Sequence, residues 1–288
     1  MTIREALKNY HDIEIELLLP HILKKPKEFL FMNPEYQISE NQKIRLLKVI
    51  KRREKGEPIA YILGYKDFMG LRFKVNMDVL IPRPETEGLV EYAIKQIEDL
   101  RLKIKDKPIR VLDVGTGSGC IIISLAKILQ TRAPLVLHKG RPCRLEFCAS
   151  DISKKALRVA TANAKKHQVK IKFIHSDILK NVGMSFGIIV ANLPYGWKEW
   201  KNNTSAETQG LKFEPKHSLF TKEKGLFLIK RLLLQIAQKE TKPKIIFLEI
   251  DPRQKKDFQR LIKKYLPAGD IKFYRDFNNL WRYAKISQ

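Results

Sequence analysis

The stretch Val111-Leu112-Asp113-Val114-Gly115-Thr116-Gly117-Ser118-Gly119-Cys120-Ile121-Ile122 runs from an apolar, strand-like segment through an acidic residue and alternating glycines into an apolar, helix-like segment. A buried strand that turns into a helix over glycines opens a βαβ unit. Alternating glycines let the backbone turn tightly and let a ligand approach with no Cβ in the way. The spacing is GxGxG behind Asp113, whereas a dinucleotide fingerprint reads GxGxxG. That difference argues against a pyrophosphate and for a zwitterionic ligand, whose ammonium Asp113 would orient directly or through water. A turn with a purely structural task is the competing reading.

Working outward, strand-like and helix-like segments alternate. Strands are expected at 110–113, 145–149, 170–174, 186–191 and 244–250, and helices at 120–129, 154–167, 222–239 and 253–266. This pattern predicts an α/β fold with a mostly parallel sheet covered on both faces. Residues 273–276 and 281–286 read as a terminal hairpin forming an antiparallel edge. Residues 130–144, with Pro134, His138-Lys139-Gly140 and Pro142, exceed an ordinary loop and read as a local insertion with a small strand at 135–137. Upstream, Ile13, Leu17, Leu18 and Ile22, then Ile44, Leu47, Val49 and Ile50, have helical spacing, and Pro20 suggests a break or an end. Ile59, Tyr61 and Leu63 before Gly64, and Phe68, Leu71, Phe73 and Val75 after it, suggest a hairpin or short linking strands. Ile81-Pro82-Arg83-Pro84-Glu85-Thr86-Glu87 is a rigid connection, with the next helix starting at Glu85 or Thr86.

The chain has 288 residues, and Lys+Arg 56 against Asp+Glu 31 gives a net charge of +25. Such a field favours weak nonspecific contact with nucleic acid, or reflects a lysine-rich, well-solvated surface. The cysteines, Cys120, Cys143 and Cys148, form no CxxC pair, which suits a reducing cytoplasm and no thiolate metal site. No signal-peptide core stands at the start and no apolar run is long enough to span a membrane. His138, His167 and His175 show no metal-ligand spacing.

Two further acids stand at expected strand ends. Asp151 would accept the ribose hydroxyls of an adenosine moiety, or cap a helix, although Ser153 is the better cap. Asp177 would bond an adenine amino group, with Ile178 packed on the ring. After the next strand comes Asn192-Leu193-Pro194-Tyr195. The Asn192 side-chain carbonyl and the Leu193 backbone carbonyl would each accept one N–H of a planar NH2 group. Pro194 stiffens the backbone, and the Tyr195 ring lies against the flat substrate. Its bland alternative is a turn after a strand. With the glycine turn, this clamp points to methyl transfer from S-adenosylmethionine to an amide or amino nitrogen. Trp197 and Trp200, with Lys198 and Lys201, form a lid over the substrate or cover an apolar edge.

Over nearly its whole length the chain resembles the protein-(glutamine-N5) methyltransferases that modify peptide chain release factors. The resemblance rests on Gly56-Glu57-Pro58-Ile59-Ala60-Tyr61-Ile62-Leu63-Gly64, Phe68, Gly70-Leu71 and Asp78-Val79-Leu80-Ile81-Pro82-Arg83-Pro84-Glu85-Thr86-Glu87. It extends to residues 111–121, Asp151, Ile178, Asn192, Phe213-Glu214-Pro215, Gly225-Leu226, Leu248-Glu249-Ile250, Gln254, Arg275-Asp276-Phe277 and Arg282. It implies a class I S-adenosylmethionine-dependent methyltransferase fold at 86–288, a linker with a short hairpin at 56–85 and a helical recognition domain at 1–55. It implies donor contacts from Asp113, Gly115, Thr116, Gly117, Ser118, Gly119, Asp151, Ile178 and Asn192, to which the strand-end position adds Asp177. Catalysis and substrate contact fall to Asn192, Leu193, Pro194 and Tyr195, and Arg83 and Glu85 also reach the substrate unless they form a structural pair. The expected partner is the Gly-Gly-Gln loop of release factors, and the expected state is a monomer without metal.

Three departures stand out: Leu193 where the family has proline, Asp251 where it has glycine, and the longer stretch 130–144. Asn-Leu-Pro-Tyr is also similar to the clamp of enzymes that methylate N6 of adenine, so an RNA or DNA adenine methyltransferase is the alternative function. A non-catalytic binding protein of the same fold is the third.

Overall fold

The computed structural model describes all residues except 104–107, 133–136, 139, 140, 143 and 198–209, and describes the backbone alone at 12, 102, 137, 138, 141 and 142. The chain forms two compact units, one of residues 1–65 with 210–213, the other of the remaining described residues.

The first unit is helical: α1 (Ile3–Asn9), α2 (Ile15–Leu23), α3 (Lys27–Met32), α4 (Glu40–Glu54) and α5 (Ile59–Leu63). Capping boxes start α1 and α4, with Thr2 and Ser39 accepting backbone N–H groups that the helix leaves unpaired. Such caps stabilise by about 1 kcal/mol each. Ile3, Leu18, Leu19, Ile22, Leu30, Leu46 and Ile50 fill the core. Two expectations fail here. Pro20 does not break α2 but lies inside it. Ile44 is exposed, because the buried stripe of α4 runs through Leu46 and Ile50. A third correction concerns 59–63, which are helix rather than strand. Pro58 sets the start, and Gly64, left-handed at φ 79°, ends the helix by bonding its N–H to the Ala60 carbonyl. Tyr61 and Leu63 fit a period of two, yet Ile59, Ile62 and Leu63 fit the helical period equally well.

The chain continues into a hairpin, β1 (Tyr65–Phe68) and β2 (Leu71–Lys74), then α6 (Glu85–Lys103), β3 (Ile109–Val114) and α7 (Cys120–Thr131). A two-stranded ribbon, β4 (Leu137–His138) and β5 (Arg141–Pro142), stands near the small strand expected at 135–137; the rest of that expectation lies outside the described residues. There follow β6 (Leu145–Asp151), α8 (Lys154–Lys166), β7 (Ile171–His175), β8 (Ile188–Ala191), α9 (Lys216–Leu219), α10 (Phe227–Ala237), β9 (Ile245–Glu249), α11 (Lys255–Tyr265), β10 (Asp270–Arg275) and β11 (Trp281–Ser287). The helix expected over 222–239 begins only at Phe227, because Gly225 takes φ +82° where the backbone passes the Tyr195 carbonyl.

The main sheet has seven strands in the order β10-β11-β9-β8-β3-β6-β7. Pairs β9–β8, β8–β3, β3–β6 and β6–β7 are parallel, and β11 is antiparallel to both neighbours. Alternation along the strands divides the core in two. Val111, Phe147, Val190, Phe247 and Tyr283 face α6 and α7, while Leu112, Cys148, Ile189, Leu248 and Ala284 face α10 and α11.

Helix α6 is fastened by one close approach. The Tyr283 hydroxyl donates to the Glu85 carbonyl, and a Cβ on Gly88 would lie 2.7 Å from Tyr283 Cζ. Helix propensity alone makes Gly88→Ala stabilising. The clash reverses the sign: Gly88→Ala is expected to lower stability by about 1–3 kcal/mol in urea denaturation.

Candidate active site

Strand β3 is the switch point of the sheet: the chain leaves it for β6 and β7 on one side and returns to β8 and β9 on the other. A crevice opens at the carboxyl ends of strands at such a point. The glycine turn leaves β3 there, Asp151 ends β6, Asn192 follows β8 and Glu249 ends β9.

The turn is built as its glycines require. Gly115, Gly117 and Gly119 take φ of 76°, 55° and 81°, a region costly for residues with a Cβ. Gly115 and Thr116 donate their N–H groups to the Ser150 carbonyl at 2.8 and 3.0 Å. Asp151 accepts from Gly117 N–H at 2.9 Å on one oxygen and from Ser153 N–H at 2.8 Å on the other. Ser153 itself caps α8 through Ala156 N–H at 3.1 Å. The Asp151 carboxylate is therefore fixed in direction while retaining lone pairs for further donors.

Asp113 is wholly buried. Its Oδ2 accepts from the Thr116 hydroxyl at 2.6 Å, and its Oδ1 has no partner. Burial pushes its pKa up to about 7 against the Thr116 bond, and the nearby Asp151 charge adds to the rise. A cationic group against Oδ1 would satisfy the orphaned atom and restore the ionised form, so the turn fits the ammonium end of S-adenosylmethionine. Ile178 holds φ 56°, rare for a β-branched residue, and its carbonyl accepts from the Ser150 hydroxyl at 3.4 Å. Asp177 is bound bidentately by Arg231 at 3.1 and 2.6 Å, so both its oxygens already have a cationic partner.

The segment Asn192-Leu193-Pro194-Tyr195 adjoins the turn. A Cβ on Gly115 would come within 3.0 Å of Leu193 Cδ2, so the sequence-distant marks lie against each other. Asn192 donates its amide N–H to Thr86 Oγ at 3.0 Å. Its carbonyl oxygen therefore remains the acceptor end. The Tyr195 hydroxyl donates to Glu249 Oε1 at 3.0 Å. Gln254 donates to the Tyr195 and Lys224 carbonyls at 3.2 and 2.8 Å, which pins the backbone after Pro194. Glu249 is buried, and burial raises its pKa to about 6, opposed by the Thr86 hydroxyl, Arg282 and Tyr195. Burial, with the Glu249 charge, pushes the Tyr195 phenol well above its ordinary value.

Arg83 pairs not with Glu85 but with buried Glu214, at 2.5 Å, and the second Glu214 oxygen accepts from Ile81 N–H at 3.1 Å. Glu85 opens α6 close enough to Glu249 to raise its pKa. Trp197 lies under Arg253, 4.5 Å from its guanidinium carbon, and Asp251 holds that guanidinium at 2.8 Å. The rest of the expected lid, Lys198, Trp200 and Lys201, lies outside the described residues. His167 and His175 meet the backbone carbonyls of Arg72 and Ile152. Among the described residues no three His, Cys, Asp or Glu gather as a metal site, and no helix is long and apolar enough to cross a membrane. Thr86, Glu214 and the role of Glu249 escaped the sequence reading. A glutamate ending the apolar run Ile245-Ile246-Phe247-Leu248 is the signal that marks one of them.

Fold and donor turn define a class I S-adenosylmethionine-dependent methyltransferase. Residues 105–272 match the family described as Methyltransferase domain, and residues 3–64 match the PrmC N-terminal domain. The chain is 37% identical over 245 residues to the release factor glutamine methyltransferase of Coxiella burnetii, covering 81% of this chain and 80% of that protein. It is 32% identical over 267 residues to the enzyme of the same name from Bacillus cereus, covering 91% and 88%. The N-terminal domain of human METTL16 in complex with SAH shares the fold, with a TM-score of 0.53 at 14% identity over 93% of each chain. The chain belongs to the release factor glutamine methyltransferase family.

The two raised carboxyls set a pH dependence. Folded Asp113 and Glu249 hold protons that the unfolded chain has released, so their contribution to stability is lost as pH rises from about 4 through about 7. Asp113→Asn is expected to flatten that slope in urea denaturation of the donor-free protein at about pH 5, 6 and 7.5.

Proposed function

We propose that this protein methylates the side-chain amide nitrogen, N5, of the glutamine in the Gly-Gly-Gln loop of peptide chain release factors. The observation that carries the reading is the meeting of the Gly115–Leu193 contact with an Asn192 amide whose carbonyl end is left as the acceptor. S-adenosylmethionine supplies an electrophilic methyl group on a sulfonium. Asp113 would hold its ammonium and Asp151 its ribose hydroxyls, with Ile178 against the adenine.

An amide nitrogen is a poor nucleophile because its lone pair is delocalised into the carbonyl. Asn192 Oδ1 and the Leu193 carbonyl, each accepting one N–H, hold the nitrogen in place and stabilise the positive charge that develops as its bond to carbon forms. The Tyr195 ring, held by Glu249, sets the plane of the amide. Leu193 serves as well as proline, since the contact is a backbone carbonyl. The helical unit serves to recognise the release factor. The setting is cytoplasmic, the enzyme acts as a monomer, and any nucleic-acid contact from the net charge of +25 is weak and nonspecific.

The direct test is transfer of radiolabelled methyl to purified release factor, with mass spectrometry of the glutamine peptide. Label in adenine of added RNA, with none in either release factor, would replace this reading by the adenine one. Asn192→Ala is expected to bind donor normally while losing about 100-fold or more in single-turnover rate. Asp151→Ala is expected to weaken donor binding about 10–100-fold in calorimetric titration.

A further inference from the structure

We infer that the tip between β10 and β11, led by the exposed ring of Phe277, is a docking anchor for the release factor whose glutamine enters the site. The inference rests on the proposed function and adds a surface that holds the protein substrate. The tip lies at the edge of the sheet where the site lies. Strand β11 runs antiparallel to β9 and pairs Tyr283 with Glu249, the last residue of β9 and the partner of the Tyr195 hydroxyl. The Ile250 N–H donates to the Arg282 carbonyl at 2.9 Å, so the pairing continues past the end of β9. Leu280 stands three residues before Tyr283, which at the rise of a strand carries the tip about 10 Å beyond the Glu249 pair. Residues 276–280 therefore project beyond the carboxyl ends of β8 and β9, on the edge where Asn192-Leu193-Pro194-Tyr195 follows β8. All of these residues belong to the second unit.

The tip is held from within. Buried Asp276 accepts from the N–H groups of Asn278 and Leu280 on one oxygen, both at 3.0 Å, and from Arg282 Nε on the other at 3.0 Å. Asp276 N–H donates to the Leu280 carbonyl, and Asn279 N–H to the Asp276 carbonyl, each at 2.9 Å. Arg275 donates to the Asn279 backbone and side-chain oxygens at 3.2 and 2.7 Å. Asn279 takes φ 61°, a turn conformation that asparagine tolerates. On this frame Phe277 is 83% exposed, the most of any large apolar side chain among the described residues, and Leu280 is 46% exposed. A slack loop could fold such a ring onto the surface; this one holds it out. An aromatic on a preorganised loop is suited to docking, because little ordering is left to be done on binding.

The base of the tip gives the chemistry of the partner. Lys255 Nζ lies 3.5 Å and Arg275 Cζ 4.4 Å from the centre of the Trp281 ring, and neither has a carboxylate partner among the described residues. An apolar knob above two cations fits an apolar hollow with an acidic rim. A second copy of this chain, at +25, would meet it with like charge. A single-stranded RNA would stack a base on Phe277, but Leu280 beside it offers no ring face for a second.

Phe277→Ala, Phe277→Tyr and Lys255→Gln leave intact the bonds that hold the tip. Each is compared with the native chain in methyl transfer to purified release factor, with KM, single-turnover rate at saturating release factor, donor affinity and sedimentation measured together. Phe277→Ala is expected to raise KM about 10-fold or more, with single-turnover rate and donor affinity within about twofold of native. Phe277→Tyr keeps the ring and is expected to stay within about threefold of the native KM. Lys255→Gln is expected to raise KM about two- to fivefold at low salt, and to lose that difference at about 0.5 M salt. A native KM in Phe277→Ala would overturn the inference. So would a slowed single-turnover rate at unchanged KM, which puts the ring in the chemistry and not in docking. Dissociation of a native dimer by Phe277→Ala, or loss of binding to a single-stranded RNA probe with KM for release factor unchanged, would overturn it in favour of another occupant. If the native enzyme transfers no label to release factor, the proposed function falls and the inference with it; a labelled release factor beside an indifferent Phe277→Ala removes the docking tip alone.

Discussion

A carboxylate buried at the end of an apolar strand is the constraint around which this site is organised. Removing an ionised glutamate from water is expensive unless hydrogen bonds and opposite charge compensate. Glu249 finds that compensation in Tyr195 from the segment after β8, in Thr86 from the start of α6 and in Arg282 from β11. Each of these is held in turn: Tyr195 by Gln254 through its carbonyl, α6 by the Tyr283 hydroxyl at Glu85, Arg282 by Asp276 at 3.0 Å. Loss of one member leaves the others with unmet bonds, so the network acts as a unit.

The charge of the site is opposite to that of the surface. The chain carries +25 overall, yet the acids buried among the described residues of the second unit are Asp113, Glu214, Glu249, Asp251 and Asp276. Most are neutralised by arginines: Arg83 on Glu214, Arg253 on Asp251, Arg282 on Asp276. Asp113 is not so neutralised, and its Oδ1 lacks any partner. An interior arranged in this way would admit a cation beside Asp113 without displacing the structural arginines.

Much of this was legible in the chain because strong local signals agreed. The alternation of apolar strands and amphipathic helices after residue 109 exposed the parallel sheet, and the GxGxG and Asn-Leu-Pro-Tyr segments marked two strand ends that the structure brings together. Residues 59–63 misled because five residues are too few to separate periods of two and 3.6, and the deciding marks, Pro58 and Gly64, also flank turns. Asp177 looks like any other strand-end acid until Arg231, more than fifty positions later, is seen to grip it. Thr86 and Glu249 carry no local mark of a site, since their partners, Asn192 and Tyr195, come from a distant segment. Arg83 suggested Glu85 by proximity in sequence, whereas helix geometry and Glu214 decided otherwise.

Strand β11 lies inside the sheet, between β10 and β9, although it is the last of these strands in chain order. Vectorial synthesis therefore presents β9 with an open edge while residues 250–280 are being added. Arg282, which offsets the Glu249 charge, and Tyr283, which fastens α6, both arrive on this final strand. The ribosome thus delivers the keystone after the arch, and the protein acquires its working geometry only when residues 281–287 have emerged and threaded home.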